Sequence, residues 1–193
     1  GQIARGDLGK SIRSNMSVSK VIIGRLEPTI SLTILTEIIA ISVAIPLGVI
    51  AAWKANSWID RSVMGIAVVG FSIPVFWLGF LMIWVLSLNF HLLPAGGYVR
   101  FFDDFGPYLI RLIMPAFAAA IVMMALLARI TRASVIEVLQ EDYVRTARAK
   151  GLTNQLILFR HALRNASLPI VTVIGLGFAG LLTGIVVVEA SKP

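Results

Sequence analysis

The residues able to do covalent or metal chemistry are few and scattered. The chain has no cysteine, which excludes thiol nucleophiles, zinc knuckles and disulfide frameworks. His91 and His161 stand alone, outside any His/Asp/Glu cluster with metal-ligand spacing, and read as interfacial polar residues rather than ligands. No nucleophile–base constellation stands out, and no Gly-x-x-x-x-Gly-Lys-Ser/Thr loop is present to cradle a phosphate. One acid, Glu37, sits inside an apolar run. Intramembrane acids usually face a cavity or a partner. At about two turns into the run from Ile30, three readings of Glu37 stay open: snorkelling, a hydrogen bond between helices, and a place on a substrate path. The remaining dense chemistry is the charged stretch around Glu137 to Arg164, whose residue types suit recognition rather than catalysis.

The elements that position these residues are apolar. Of the 193 residues, 58% are hydrophobic and only 14% are charged, and the mean hydropathy is +0.88. An average soluble domain has about 45–50% and about 25%. The net charge of +7 would suggest nucleic-acid binding in a soluble protein. Here apolar runs separate the basic residues, which favours a lipid bilayer and no nucleic acid. A spanning helix needs about 20 apolar residues. Ser62 to Phe90 offers 29 residues without a charge, Ala166 to Val188 offers 23, and Leu112 to Ala128 offers 17. Ile38 to Trp53 offers 16, extended toward Ile30 if Glu37 is included. The runs are continuous rather than alternating, so four spanning helices are expected and a barrel is not. Pro46, Pro74, Pro115 and Pro169 each fall in a different run, as kinks in packed helices or as hinges of a moving path.

Trp53 and Trp58 flank the first connection, and Tyr98, Phe101, Phe102, Phe105 and Tyr108 fill the second, as aromatic belts do. Lys and Arg number nine on the side of the first and third connections and eight on the other, so the positive-inside rule hardly decides orientation. Gly1 rather than Met opens the chain with no signal-peptide pattern after it, so a piece of a longer chain or a processed product is expected. The third connection, Arg129 to Asn165, reads as a helix–glycine–helix hairpin outside the bilayer. Val135, Leu139, Tyr143 and Ala147 recur every four residues on one face, with Glu141 and Arg145 as an i,i+4 pair on another. Gly151 ends this pattern, as a glycine just past a helix does. Leu152, Leu156, Phe159 and Leu163 mark the apolar face of the second helix. Such a hairpin either lies on anionic lipid or docks a soluble partner.

The run Glu141-Asp142-Tyr143-Val144-Arg145-Thr146-Ala147-Arg148-Ala149-Lys150-Gly151, followed by Arg160 to Asn165 and Leu168-Pro169, resembles the "EAA" loop of ABC-importer permeases. It is most similar to the dipeptide/oligopeptide/nickel permease family, first-subunit type. Gly6-Asp7-Leu8-Gly9, Ile45-Pro46-Leu47-Gly48, Ser72-Ile73-Pro74-Val75-Phe76, Leu93 to Tyr98 and Leu127 to Arg132 agree in order and spacing. The resemblance covers nearly the whole chain. It departs in three places. Four spans stand where members have six. Arg145 occupies the position of the usual loop acid. The chain ends Ala190-Ser191-Lys192-Pro193 where members continue with an aromatic and a Pro-Gly pair.

The resemblance implies an all-α polytopic bundle of the type I ABC importer permease fold, partial here. It implies a single domain over 1–193, with an extracytoplasmic tail at 1–29 and a cytoplasmic coupling loop at 129–165. It places the chain in the bacterial inner membrane as the path-forming subunit that moves peptides, nickel or related small solutes inward. The implied partners are a second permease subunit, cytoplasmic ATPase subunits and an extracytoplasmic binding protein. The ATPases would use ATP and Mg, with no cofactor on this chain and no catalytic residue. The ATPase-facing residues would be Glu141, Asp142, Tyr143, Arg145, Ala147, Lys150, Gly151 and Leu152, and displacement of the loop would pass into the Pro169 span. Glu37, Ser72 and Pro74 are the candidates for the translocation path. A secondary transporter or channel without an ATPase is the rival; Glu37 alone supports it, and no internal repeat is visible.

Overall fold

The computed structural model describes residues 17–190, with side-chain surroundings over 26–182. The Gly6 to Gly9 motif, most of the expected tail and Ser191 to Pro193 lie outside the described residues. Within them, helices dominate. α1 is Val18–Trp53, α2 is Trp58–Ser72, and α3 is Val75–Met82, which continues as a π-wound stretch, Ile83–Asn89. α4 is Phe105–Leu139 and α5 is Asp142–Ala149. α6, Asn154–Leu156, passes through a second π-wound stretch, Ile157–Ala162, into α7, Leu163–Ala190. The all-α expectation holds. α1, α4 and α6–α7 are each long and apolar enough to cross a bilayer, and the bent pair α2–α3 is a fourth candidate.

α4 is the hub, packed against α1, α2, α3 and α7. Its contact with α1 is built from small side chains. Ala40, Ala44, Ala51 and Ala52 of α1 and Ala116, Ala120, Ala125 and Ala128 of α4 are buried. Without a hydrophobic drive between helices in lipid, close backbone approach supplies the attraction. Gly48 marks a close approach: a Cβ there would lie 2.7 Å from the Ala128 carbonyl oxygen and 2.7 Å from Thr131 Cβ. Larger residues fill the end of the bundle nearer α5, where Val49, Leu127, Val135, Leu158 and Ile170 join the alanines in one core.

Three elements differ from the sequence expectation. α1 begins at Val18 and its candidate span at Leu26, so the span is longer than Ile30 to Trp53 and Glu37 lies about three turns inside it rather than two. The Ser62 to Phe90 run is not one straight helix: it bends by 95° between α2 and α3. Pro74 forces this, because the residue before a proline is driven out of the helical region. Ile73 accordingly sits at φ −84°, ψ 126°. Finally, α4 continues ten residues past Arg129. Ala128, Thr131, Ser134 and Val135 keep one face buried, and arginine is a good helix former, so a change from apolar to charged composition does not end the helix.

Candidate functional site

The charged loop is a short helix hung from two long ones. α4 ends at Leu139, and Glu141 takes an extended backbone at ψ 147°. The Glu141 carbonyl then accepts the first amide hydrogen bonds of α5, from Val144 at 3.0 Å and Arg145 at 3.3 Å. Asp142 places a negative charge at the N-terminus of α5 and Arg148 a positive one in its last turn, both favourable to the helix dipole. Gly151 closes the helix at φ +79°. Its N–H donates to the Arg148 carbonyl at 2.9 Å, and the Leu152 N–H donates to the Ala147 carbonyl at 3.2 Å. These two bonds are the Schellman pair, which requires a left-handed residue where Gly151 stands.

α5 is anchored on its inner side only. Val144 is fully buried, and the Asn165 amide donates to the Tyr143 hydroxyl at 2.6 Å. That bond ties α5 to the first turn of α7. The outer face carries Asp142, Arg145, Arg148 and Lys150, all exposed. Arg145 pairs with Asp142 at 3.3 Å, with both side chains largely in solvent. The expected Glu141–Arg145 pair does not form, because Glu141 precedes the helix and i,i+4 geometry does not reach it. The inner faces also differ from expectation. Val144, Ile157, Leu158 and Ala162 are buried, whereas Tyr143, Leu156 and Phe159 are exposed.

A second fastening lies beside this loop. Arg132 of α4 grips Asp60 of α2 with both branches: Nε donates to Oδ1 at 2.5 Å and Nη2 to Oδ2 at 2.6 Å. The Asn56 N–H adds a bond to Oδ2 at 2.9 Å. Asp60 is 3% exposed, so its charge is removed from water and fully matched. A bidentate pair of this kind fixes orientation as well as distance. It holds the α1–α2 turn against α4, close to where α4 gives way to the α5 loop.

Deeper in the bundle, Glu37 is 5% exposed, and neither carboxylate oxygen has a hydrogen-bond partner among the described residues. Among the described residues, Glu37 therefore neither reaches the surface nor makes a helix–helix hydrogen bond. Next to it lies a cavity of about 410 Å³, walled by α1, α4, α7 and the two residues that bracket the α2–α3 bend, Phe71 and Val75. Ser72 donates its hydroxyl to the Val68 carbonyl at 2.8 Å and stays exposed, as does Pro74. At the far end of the molecule from α5, Glu27 accepts the Phe101 N–H at 3.1 Å. Phe101 stacks edge-on with Phe102, Phe105 and Tyr108, beside a wider groove of about 580 Å³.

The profile of the family described as "binding-protein-dependent transport system inner membrane component" matches residues 44–191. The chain belongs to this family. It is 41% identical to a probable peptide ABC transporter permease protein of Sinorhizobium fredii, covering 97% of this chain and 60% of that protein. It is 39% identical to the dipeptide transport system permease protein of Escherichia coli strain K12, covering 97% and 62%. It is 41% identical to the oligopeptide transport system permease protein of Bacillus subtilis, covering 98% and 61%. The chain thus spans about three-fifths of the length of the curated relatives it matches. Family and helices together make it a multi-pass membrane protein.

In this permease the structure gathers Glu141, Asp142, Tyr143, Arg145, Ala147, Lys150, Gly151 and Leu152 into one helix and its caps. It does not bring Glu37, Ser72 and Pro74 together. Instead Phe71, Val75, Thr33 and Thr36, neighbours of those three in sequence, share the cavity wall. The Asp60–Arg132 pair is absent from the sequence expectation. Its two signals were a lone acid in a short connection and the arginine that closes the Leu127 to Arg132 match. Nothing in their separation pairs them until α2 is laid against α4.

Proposed function

We propose that this permease is a path-forming membrane subunit of an ATP-driven importer that carries peptides into the bacterial cytoplasm across the inner membrane. Family membership and peptide-transport relatives support the class. The observation that carries the coupling reading is the mounting of α5. An eight-residue helix presents a charged outer face, while its inner side buries Val144 and is tied to α7 by the Tyr143–Asn165 bond. A partner gripping the outer face would move the start of a spanning helix directly. Coupling requires a two-state element that both sites bias, and in this reading the α5–α7 junction is that element. In this reading α5 docks a cytoplasmic ATPase that binds ATP and Mg, a second permease subunit completes the path, and an extracytoplasmic binding protein delivers the peptide. The cavity bounded by α1, α4, α7 and the α2–α3 bend belongs to the path.

The test uses the full-length permease in the complete transporter, reconstituted in proteoliposomes. Lys150→Glu reverses a charge on the outer face without touching Val144 or Tyr143. It is expected to lower ATP-dependent peptide uptake at least tenfold while leaving permease abundance unchanged. Peptide accumulation that persists in vesicles lacking the ATPase subunits and ATP would overturn the reading in favour of a transporter that needs no ATPase.

A further inference from the structure

Glu37 lies near the middle of α1, about 15 Å along the helix from Glu27 and about 24 Å from Trp53 at 1.5 Å per residue. A carboxylate at that depth is far from either interface, and leaving it unpaired there is costly. Both oxygens are nonetheless without a partner among the described residues. Among the described residues, the lining of the cavity beside it carries no charge. Its polar side chains, Thr33 and Thr36, have already committed their hydroxyls, to the Thr29 carbonyl at 2.8 Å and the Ala116 carbonyl at 3.4 Å. A glycine and one flexible side chain lie beside the carboxylate on α7 and α4. Glu37 Oε1 stands 3.2 Å from where a Cβ on Gly177 would be, and the Met123 methyl fills that same space. Both Gly177 and Met123 line the cavity. An unbranched methionine moves at low cost, so a small rotation of Met123 would open the carboxylate to the cavity.

We propose that Glu37 is the anionic contact for the cationic amino terminus of a peptide in transit, with Met123 as its movable cover. The proposal rests on the peptide-importer reading. The chemistry of the pocket selects this ligand class. A metal ion would want several oxygens converging on one point, and a lone carboxylate among apolar walls offers one contact. An ammonium carried on an apolar body satisfies both the charge and the walls. The peptide amino terminus is such a group, and the charge-assisted hydrogen bond it forms is the strong kind.

The experiment uses the complete transporter with full-length permease in lipid nanodiscs, without its binding protein, and measures equilibrium binding of labelled Ala-Phe and of N-acetyl-Ala-Phe. The wild type is expected to bind the free-amino form about tenfold more tightly. Glu37→Gln is expected to bring the two affinities together, and Met123→Ala to keep the preference because it uncovers the carboxylate without removing it. No preference in the wild type overturns the proposal whether or not Glu37→Gln folds, and so does an unchanged preference in a folded Glu37→Gln. Peptide uptake by the wild-type transporter in proteoliposomes is measured alongside. Uptake with no Glu37-dependent preference sinks this inference alone. Absence of ATP-dependent peptide uptake sinks the importer reading and this inference with it.

Discussion

A valine at position 151 and an asparagine there ask different things of the backbone. Gly151 holds φ +79°, and a side chain built on it would meet nothing within 4 Å. The penalty for replacement is therefore conformational, not steric crowding. For a β-branched residue the left-handed region costs about 1–2 kcal/mol, while asparagine enters it more readily. Gly151→Val is expected to open the Schellman closure and splay α5, leaving insertion and abundance near normal. ATPase co-purification and peptide uptake should then fall. Gly151→Asn should retain most of both. If the loop merely lay on lipid, both variants would transport normally, and normal uptake by Gly151→Val is the result that removes the docking turn. This glycine was legible because it separates two amphipathic patterns. The partner of Arg145 was not. Glu141 and Asp142 are adjacent in sequence, and only the extended backbone at Glu141 makes Asp142 the first helical acid and the one within reach.

Helices in this bundle are held by what their small residues allow. α1 and α4 meet at Gly48, where an added methyl would strike the Ala128 backbone, which cannot rotate away as a side chain end can. Gly48→Ala is expected to force the two helices apart and to destabilise the fold by about 1–3 kcal/mol, the usual range for overpacking. Gly65 sits inside α2 with nothing within 4 Å of an added Cβ. Gly65→Ala should therefore be neutral or stabilise by about 0.5–1 kcal/mol through helix propensity. Thermal unfolding of the two detergent-solubilised variants checks the contrast; equal midpoints would mean that the α1–α4 contact is looser than the structure has it. The presence of spanning elements was readable from apolar run length alone. Their phase and straightness were not. The stripe Val135, Leu139, Tyr143, Ala147 assumes one unbroken helix, but α4 stops at Leu139 and α5 restarts the helical phase after Glu141. Val144 then points inward and Tyr143 turns to Asn165. Pro74 likewise announced a disturbance in the second run, while its 95° size depends on the extended backbone of Ile73.

At the scale of the whole molecule, the structure has two chemically distinct ends. One carries α5, the Asp60–Arg132 pair and a concentration of arginines and lysines. The other carries Glu27, Asp103, Asp104 and the aromatic cluster around Phe101. α4 joins them: Asp104 caps its first turn by accepting the Gly106 N–H at 3.1 Å, and Gln140 ends it after 35 residues. At 1.5 Å per residue that is about 52 Å, long enough to cross a hydrocarbon core of about 30 Å and carry the two ends to opposite sides of a bilayer. Charge counting over the full chain gives nine basic residues against eight and leaves the direction nearly open. The proposed ATPase-docking role for α5 would place it in the cytoplasm, because ATP is available on that face. The absence of native cysteine makes single-cysteine labelling clean. In intact cells expressing the full-length permease, a cysteine at Asp104 is expected to react with a membrane-impermeant maleimide, and one at Thr153, exposed just past the Gly151 turn, to react only after the membrane is opened. The reverse pattern would put α5 outside the cell, where no ATPase could grip it, and the coupling mechanism would fall with the topology.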